Sequence, residues 1–307
     1  MKRDLSFFRS KGYILSLLII ILSIIVTVII NSPYLTLSIA ISEIFILLSI
    51  GWDFSSGTTN YINFGISFFF GVGAFSTGYL YFNYHLSVPF LILISSILGL
   101  LSGTIFTVPT LRVKGVFFTL LSLLLPLIGT YFIIAFWIVL KMPTIGFYDL
   151  PPISYSLQNT TIYISLILIV VLTFIYILNS THFGLVLRGI GDDEDAIVSQ
   201  GINTFPYKVL VFSISMGIAG LAGSIYALLM SFAGVDTFAL EFLLYPMVIA
   251  IFGGKGKILG TVPAGYIIIL SSQYLQFYVG DLTLIMFTIL AIILFLFVPN
   301  GISRWYK

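Results

Sequence analysis

The chain has 307 residues, 59% of them hydrophobic and 8% charged, with a mean hydropathy of +1.16 and a formal net charge of +2. Soluble domains carry about a quarter charged residues, so lipid must be the solvent for most of this chain. There is no long basic patch for nucleic acid and no cysteine for a disulfide, a thiolate metal site or a nucleophile, and only His85 and His182 could offer imidazole.

The N-terminal flank is basic (Lys2, Arg3, Arg9, Lys11), and an apolar run over 13–30 follows it. A signal peptide has a shorter apolar core and a small-residue cleavage site. Here Asn31, Ser32 and Pro33 follow instead, which marks a retained first span. Hydropathy places ten spans in all, at 13–30, 36–52, 62–82, 88–108, 116–140, 161–179, 209–230, 242–253, 258–278 and 283–299. The eighth is short for a crossing that needs about 20 residues, so it is expected to be broken or to borrow neighbours. The fold class expected is therefore an all-α polytopic membrane protein, a single transmembrane domain over 1–307.

Charge tests the count. With the N-terminus inside, twelve basic residues fall inside (Lys2, Arg3, Arg9, Lys11, Arg112, Lys114, Arg188, Lys208, Lys255, Lys257, Arg304 and Lys307) and only Lys141 falls outside. A wrong parity would not give that split, because cytoplasmic loops carry the excess of Lys and Arg. Both termini are then cytoplasmic. Spans 2–5 and 7–10 cross in opposite directions around span 6, the parity of an inverted repeat. The outer segments carry Asp149, Asp236, Glu241 and Asp281 beside Phe147, Tyr148, Tyr155 and Phe238, which suits either plain solvated loops or a surface for a soluble partner.

Within the membrane, Glu43 sits in the second span, where a charge costs about 2.5–3.5 kcal/mol on insertion scales and must face protein or water. The most irregular membrane stretch is 51–78, with six glycines and with Asp53, Asn60 and Asn63. Irregular backbone survives in lipid only where protein or a watery cavity satisfies it. Trp52, Asp53, Asn60 and Asn63 are thus candidates to line a pathway, and close helix packing is the alternative for the glycines. Further on, Gly217, Gly220 and Gly223 form a small-residue face for helix packing.

The polar stretch 180–208 interrupts the apolar pattern and holds four consecutive acids. Asp192 is read as an N-cap, with Asp193, Glu194 and Asp195 in the first turn, where the helix dipole favours negative charge. Ala196, Ile197 and Val198 continue a helix of roughly two turns, Gly201 is read as its left-handed C′ residue, and Pro206 prevents simple continuation. Such a helix is either a solvated connector or a docking element for a soluble partner. The glycine turn at 252–257 is no phosphate loop, because Ile258 stands where Ser or Thr is needed and no strand precedes it. An intramembrane hydrolase would need a nucleophile and a base together, and the two histidines fall in loops on opposite sides. No Gly-x-Ser-x-Gly elbow occurs.

These motifs, in order, resemble a known group. Asn63-Phe64-Gly65 with Gly71-Val72-Gly73-Ala74-Phe75, the Leu111-Arg112-Val113-Lys114-Gly115 element through Leu120, the loop from Arg188 to Asn203 with Lys208, the Phe212 to Gly223 span, Gly253-Gly254-x-Gly256 and Pro299-Asn300-Gly301-Ile302 are together similar to permease subunits of branched-chain amino acid ABC importers, of the Liv-type M-like branch. The match covers roughly residues 37–303. It departs where Gly191 replaces a second arginine, where Asp195-Ala196-Ile197 with Gly201 only loosely follows the Glu-Ala-Ala-x-x-x-Gly coupling motif, and where Lys255 and Lys257 make the glycine turn more basic. The resemblance implies a cell-membrane permease without a cofactor or nucleotide site of its own. Its expected partners are a second homologous permease, two cytoplasmic ATP-binding subunits and an extracytoplasmic substrate-binding protein. It assigns ATPase coupling to Arg188, Asp192, Asp193, Glu194, Asp195, Ala196 and Gly201. Leucine, isoleucine and valine are the family's usual substrates, and relatives carry other amino acids, amides or urea. The alternative is a stand-alone secondary transporter that couples ions through Glu43 or Asp53.

Overall fold

The computed structural model describes residues 11–30, 32–111, 113, 115–139 and 146–280, with 282, 283, 285, 286 and 289 beyond them. The helices are α1 (Lys11–Ile30), α2 (Pro33–Trp52), α3 (Ile66–Tyr84), α4 (Val88–Thr110), α5 (Val116–Val139), α6 (Leu157–Ser180), α7 (His182–Ser199), α8 (Thr204–Met230), α9 (Glu241–Gly253) and α10 (Thr261–Val279). Eight helical segments among the described residues are long and apolar enough to cross a membrane, and α3, 19 residues interrupted by Gly71, Gly73 and Gly78, lies in the interior beside them. The chain is an all-α, multi-pass membrane protein. A helix closes all its backbone hydrogen bonds internally, which is why hydrocarbon admits it.

The predicted spans coincide with helices through 230 and again at 258–278. The short eighth span is lengthened as expected: a 3-10 turn at Val235–Phe238 precedes the 13-residue α9, which carries Pro246. The tenth span falls almost entirely outside the described residues. The same holds for Lys2, Arg3, Arg9, Arg112, Lys114, Lys141, Asp281, Arg304, Lys307 and the 299–302 motif.

Two helices are central. α8 lies against α3 and α4, and α2 lies against α9 and α10; α3 packs on α4 as α9 packs on α10, and α2 meets α8. Exchanging α2–α4 with α8–α10 maps one set of contacts onto the other, and the counterpart of α5 would be the tenth span, which lies outside the described residues. α1, α4 and α5 keep large apolar side chains outward, including Leu18, Ile105 and Phe117. At one end of the bundle, β1 (Phe147–Tyr148) pairs antiparallel with β2 (Phe232–Ala233). That end holds Asp149, Asp236 and Glu241, and the other holds Arg188, Lys208, Lys255 and Lys257.

Close approach and short polar side chains hold the interior, as expected where lipid offers no hydrophobic drive between helices. A Cβ on Gly223 would overlap the Phe70 carbonyl oxygen of α3, and one on Gly73 would overlap the backbone of Gly220. Around this contact, Thr77 Oγ1 donates to Ser224 Oγ at 2.7 Å, Ser76 Oγ to Ser95 Oγ at 2.9 Å and Ser96 Oγ to the Gly217 carbonyl at 3.1 Å. The glycine face of α8 is a packing face.

Glu43 is fully buried on α2. Its Oε1 accepts hydrogen bonds from Ser23 Oγ (3.1 Å), Ser165 Oγ (2.7 Å) and Tyr266 OH (2.9 Å), so one carboxyl group ties α1, α6 and α10 to α2. Its second oxygen has no partner among the described residues. Glu43 faces protein, the first of the two environments open to it.

The glycine contact gives a direct expectation. Gly223→Leu forces α3 and α8 apart at a backbone contact and costs at least the roughly 1–3 kcal/mol of ordinary overpacking. The detergent-solubilised chain should melt several degrees lower by size-exclusion monitored unfolding. An unchanged melting temperature would show that the backbones are not in contact there.

Candidate functional site

At the basic end, α2 does not finish as an α-helix. Residues Asp53–Gly57 form a single π turn, and the chain then runs irregularly from Asn60 to Gly65 before α3 begins. Every exposed backbone group created by this break needs a partner. Trp52 Nε1 donates to the Asn63 carbonyl at 2.8 Å, the Asn63 amide donates to Ser56 Oγ at 3.1 Å, and Asn63 Oδ1 accepts from the Gly65 amide at 2.7 Å. Asp53 is fully buried, and its Oδ1 accepts the Gly256 amide at 2.7 Å. That bond pins the π turn against the glycine turn after α9, where Gly256 holds φ +75. Burial lowers the Lys255 ammonium from its ordinary range, and the Asp53 charge opposes that shift. Of the four candidate pathway residues, Trp52 and Asn63 are therefore interior groups bonded within the break, and Asp53 is an interior group bonded to the glycine turn after α9. Asn60 lies at its surface with φ +58 and donates through Nδ2 to the Gly191 carbonyl at 2.5 Å.

α7 lies over this break. Its first half is apolar on one side, burying Gly184, Val186, Leu187 and Ile190. At Asp193 the backbone turns extended (φ −157, ψ 101), and a second short helix runs to Ser199. The N-cap is Asp193, not Asp192: Asp193 Oδ1 accepts the Ala196 amide at 3.1 Å. The sequence pattern misses by one residue because any of several adjacent acids satisfies the capping preference, and only backbone geometry selects among them. The predicted stop is correct, since Gly201 holds φ +83 and its amide donates to the Val198 carbonyl at 2.9 Å. The helix before the acids, from His182, was not foreseen.

Glu194 is the fastening point of this second turn. Its Oε1 accepts Lys208 Nζ at 2.7 Å and Thr204 Oγ1 at 2.6 Å, and its Oε2 accepts Tyr61 OH. Lys208 is 4% exposed and Glu194 14%. The ammonium also donates to Tyr61 OH at 3.2 Å and sits 4.6 Å from the centre of the Tyr61 ring. Burial raises the Glu194 carboxyl, but hydrogen bonds from Lys208, Thr204 and Tyr61 outweigh it and bring the group from 4.5 to about 2. Burial, then the Glu194 charge, pushes the Tyr61 phenol above its usual range. So Glu194 is a carboxylate beside a neutral Tyr61 phenol at ordinary pH.

The remaining acids behave differently. Asp192 and Asp195 are exposed, as are Ala196, Val198 and Gly201. Arg188 turns back to α6, with Nη1 donating to the Asn179 carbonyl at 2.8 Å and to Asn179 Oδ1 at 3.1 Å. The helical turn thus has an inner face, Glu194 and Ile197, and an outer one. Tyr61 and Thr204 were missed by sequence reasoning; Lys208 was noted, but not as the partner of Glu194. A lysine five residues into an apolar helix was the available signal, because a buried ammonium must find a carboxylate. Gly191, where an arginine was expected, has a steric reason: a Cβ there would overlap the Thr58 carbonyl oxygen.

A depressed carboxyl adds stability above its ordinary value of 4.5 that is lost as pH falls toward about 2. Pepsin should therefore spare 182–204 at pH 4 and cut it increasingly toward pH 2. Glu194→Gln strands the Lys208 charge, at somewhat less than the roughly 3–5 kcal/mol of a fully buried pair because Glu194 keeps some exposure. It should be cut already at pH 4, and the double variant with Lys208→Met should recover part of the loss. Equal digestion of all three at pH 4 would refute the fastening.

Residues 34–299 match the family described as the branched-chain amino acid transport system / permease component. The chain is 28% identical over 202 residues to a nucleoside ABC transporter permease protein of Lactococcus lactis subsp. cremoris, a match covering 59% of this chain and 63% of that protein. It is 20% identical over 291 residues to the high-affinity branched-chain amino acid transport system permease protein LivM of Escherichia coli, covering 85% of this chain and 68% of LivM. The LivM of Salmonella typhimurium is similar at 19% over 288 residues, covering 84% and 67%. The chain thus spans under two thirds of the Lactococcus relative and about two thirds of the LivM proteins. No solved structure matches the chain. A helical, multi-pass chain matched by this family model over residues 34–299 belongs to the family described as the branched-chain amino acid transport system / permease component.

Proposed function

We propose that this chain, as a single permease domain over 1–307, forms the membrane pathway of an ATP-driven importer for branched-chain or related amino acids. Its partners are a second homologous permease, cytoplasmic ATP-binding subunits and an extracytoplasmic binding protein. The excess of Lys and Arg at one end supports a cytoplasmic placing of that end, of both termini and of α7.

The observation that carries the reading is the two-faced turn after Asp193. Glu194, through Lys208 and Tyr61, binds it to the start of α8 and to the break between α2 and α3. Its exposed outer face, with Asp192, Asp195, Ala196 and Gly201, is the side that meets an ATP-binding subunit in this reading. Arg188 keeps the first half of α7 on α6, and Asp193 caps the turn. A push on the outer face is then delivered to Trp52, Asp53, Asn60 and Asn63, which frame the cytoplasmic mouth of the proposed pathway. A solvated connector needs none of these bonds.

Gly201→Pro should uncouple the machine. Proline cannot adopt φ +83 and has no amide for the Val198 carbonyl. Insertion and copurification of the ATP-binding subunit should persist while substrate uptake falls roughly tenfold or more, the loss expected when a bistable contact of a few kcal/mol is removed. Deletion of 192–200 should do the same. Normal coupled uptake in either variant overturns the coupling role. Uptake by the chain alone in vesicles without ATP would instead favour a gradient-driven carrier.

A further inference from the structure

A cavity lies at the opposite, acidic end of the bundle, between α2, α8, α9 and α10. Its volume is about 340 Å³, inside the range of small-molecule sites. Its walls combine Tyr226, Phe242 and Tyr245 with Glu241, Gln273 and Gln276. The rings are locked against each other: Tyr226 meets Phe242 edge-on at 5.1 Å, and Phe45 stacks on Phe242 at 5.6 Å. Tyr245 OH is held at 2.7 Å from Ser272 Oγ. Ile41 and Ile269 supply an apolar floor.

Glu241 is the anomaly. It is half-buried, yet its carboxylate makes no hydrogen bond or ion pair among the described residues. It is the first residue of α9, where the helix dipole favours its charge. The Asp236 carboxylate is near enough to add to the negative potential, and both Tyr226 and Tyr245 feel Glu241. Among the described residues no Lys, Arg or His lines the cavity. An unpartnered carboxylate in a cavity walled by Tyr226 and Tyr245 suits a cation, since aromatic rings attract an ammonium and desolvating the carboxylate costs least when a positive group replaces its water.

We propose that this cavity is a binding site for the primary ammonium of an aliphatic amino acid. Glu241 takes the ammonium, the rings flank it, the Gln273 and Gln276 amides face the carboxylate, and the apolar floor takes the side chain. The inference rests on the importer reading and sharpens it. A nucleoside could stack on the rings, but it has no cation for Glu241 and would bury that charge without return.

The chain has no cysteine, so one engineered thiol reports cleanly. In right-side-out vesicles of its native membrane, Met230→Cys is reacted with cationic 2-aminoethyl or anionic 2-sulfonatoethyl methanethiosulfonate, and the tagged chain is then purified and its free thiol counted. The cationic reagent should react about tenfold faster, as expected for a focused negative potential. L-leucine and 3-methylbutylamine should slow it; 4-methylpentanoate and uridine should not. Glu241→Gln should abolish both the preference and the protection. Thr283→Cys repeats the measurement if the first variant fails to insert. Protection by uridine or 4-methylpentanoate, protection that survives Glu241→Gln, or no protection by any solute overturns the site. Failure of the chain to copurify with an ATP-binding subunit, with protection intact, would sink the importer reading and leave the site standing.

Discussion

The fold depends on how the end of α2 is satisfied. Hydrocarbon gives no partner to a stray amide, so a helix can be interrupted only where the protein replaces every bond that the interruption breaks. The carboxylate of Asp53 on the Gly256 amide, the Trp52 indole on the Asn63 carbonyl and the Ser56 hydroxyl under the Asn63 amide do this together. Remove them and α2 would have to continue as a straight helix. The irregular connection that receives α7 would then not exist.

This makes the break and α7 one construction rather than two. Gly191 comes close enough to Thr58 to exclude a side chain, and Asn60 and Tyr61 reach out of the break to hold the turn that follows. The apolar half of α7 beds on the bundle, and the acidic half is fixed by one buried ion pair. A buried pair adds little net stability over an apolar contact, but it tolerates no other arrangement, so its contribution here is geometric. A rigid turn moves as a body when pushed; a floppy one would absorb the motion.

Much of this was legible in the sequence, and the reasons for the rest are specific. Span positions follow from apolar runs, and the packing role of Gly217, Gly220 and Gly223 follows from their spacing on one helix face. The stop at Gly201 follows from its left-handed preference. The cap slipped from Asp192 to Asp193 because four acids in a row carry the same signal. Tyr61 was invisible because it is one of 18 tyrosines in a chain rich in aromatics, and nothing local marks a phenol that meets a residue 133 positions away. Cost alone kept Glu43 from lipid and left protein or water open, and its three hydroxyl donors come from three other helices and have no sequence signature. Glu241 read as an ordinary loop acid until the surrounding rings gave it a cavity.

The depth of the Lys208–Glu194 pair has a consequence for ionic strength. Salt screens exposed charges over about 8 Å at physiological concentration but scarcely reaches a pair held inside the protein. The ammonium at 4% exposure and its carboxylate are such a pair, whereas Asp192 and Asp195 face solvent. The two sides of one helical turn therefore respond differently to the same solution. If the outer acids meet a neighbouring subunit, as proposed, raising the salt weakens that contact while the turn stays seated on its own bundle, which would separate the assembly from its moving part without altering a residue.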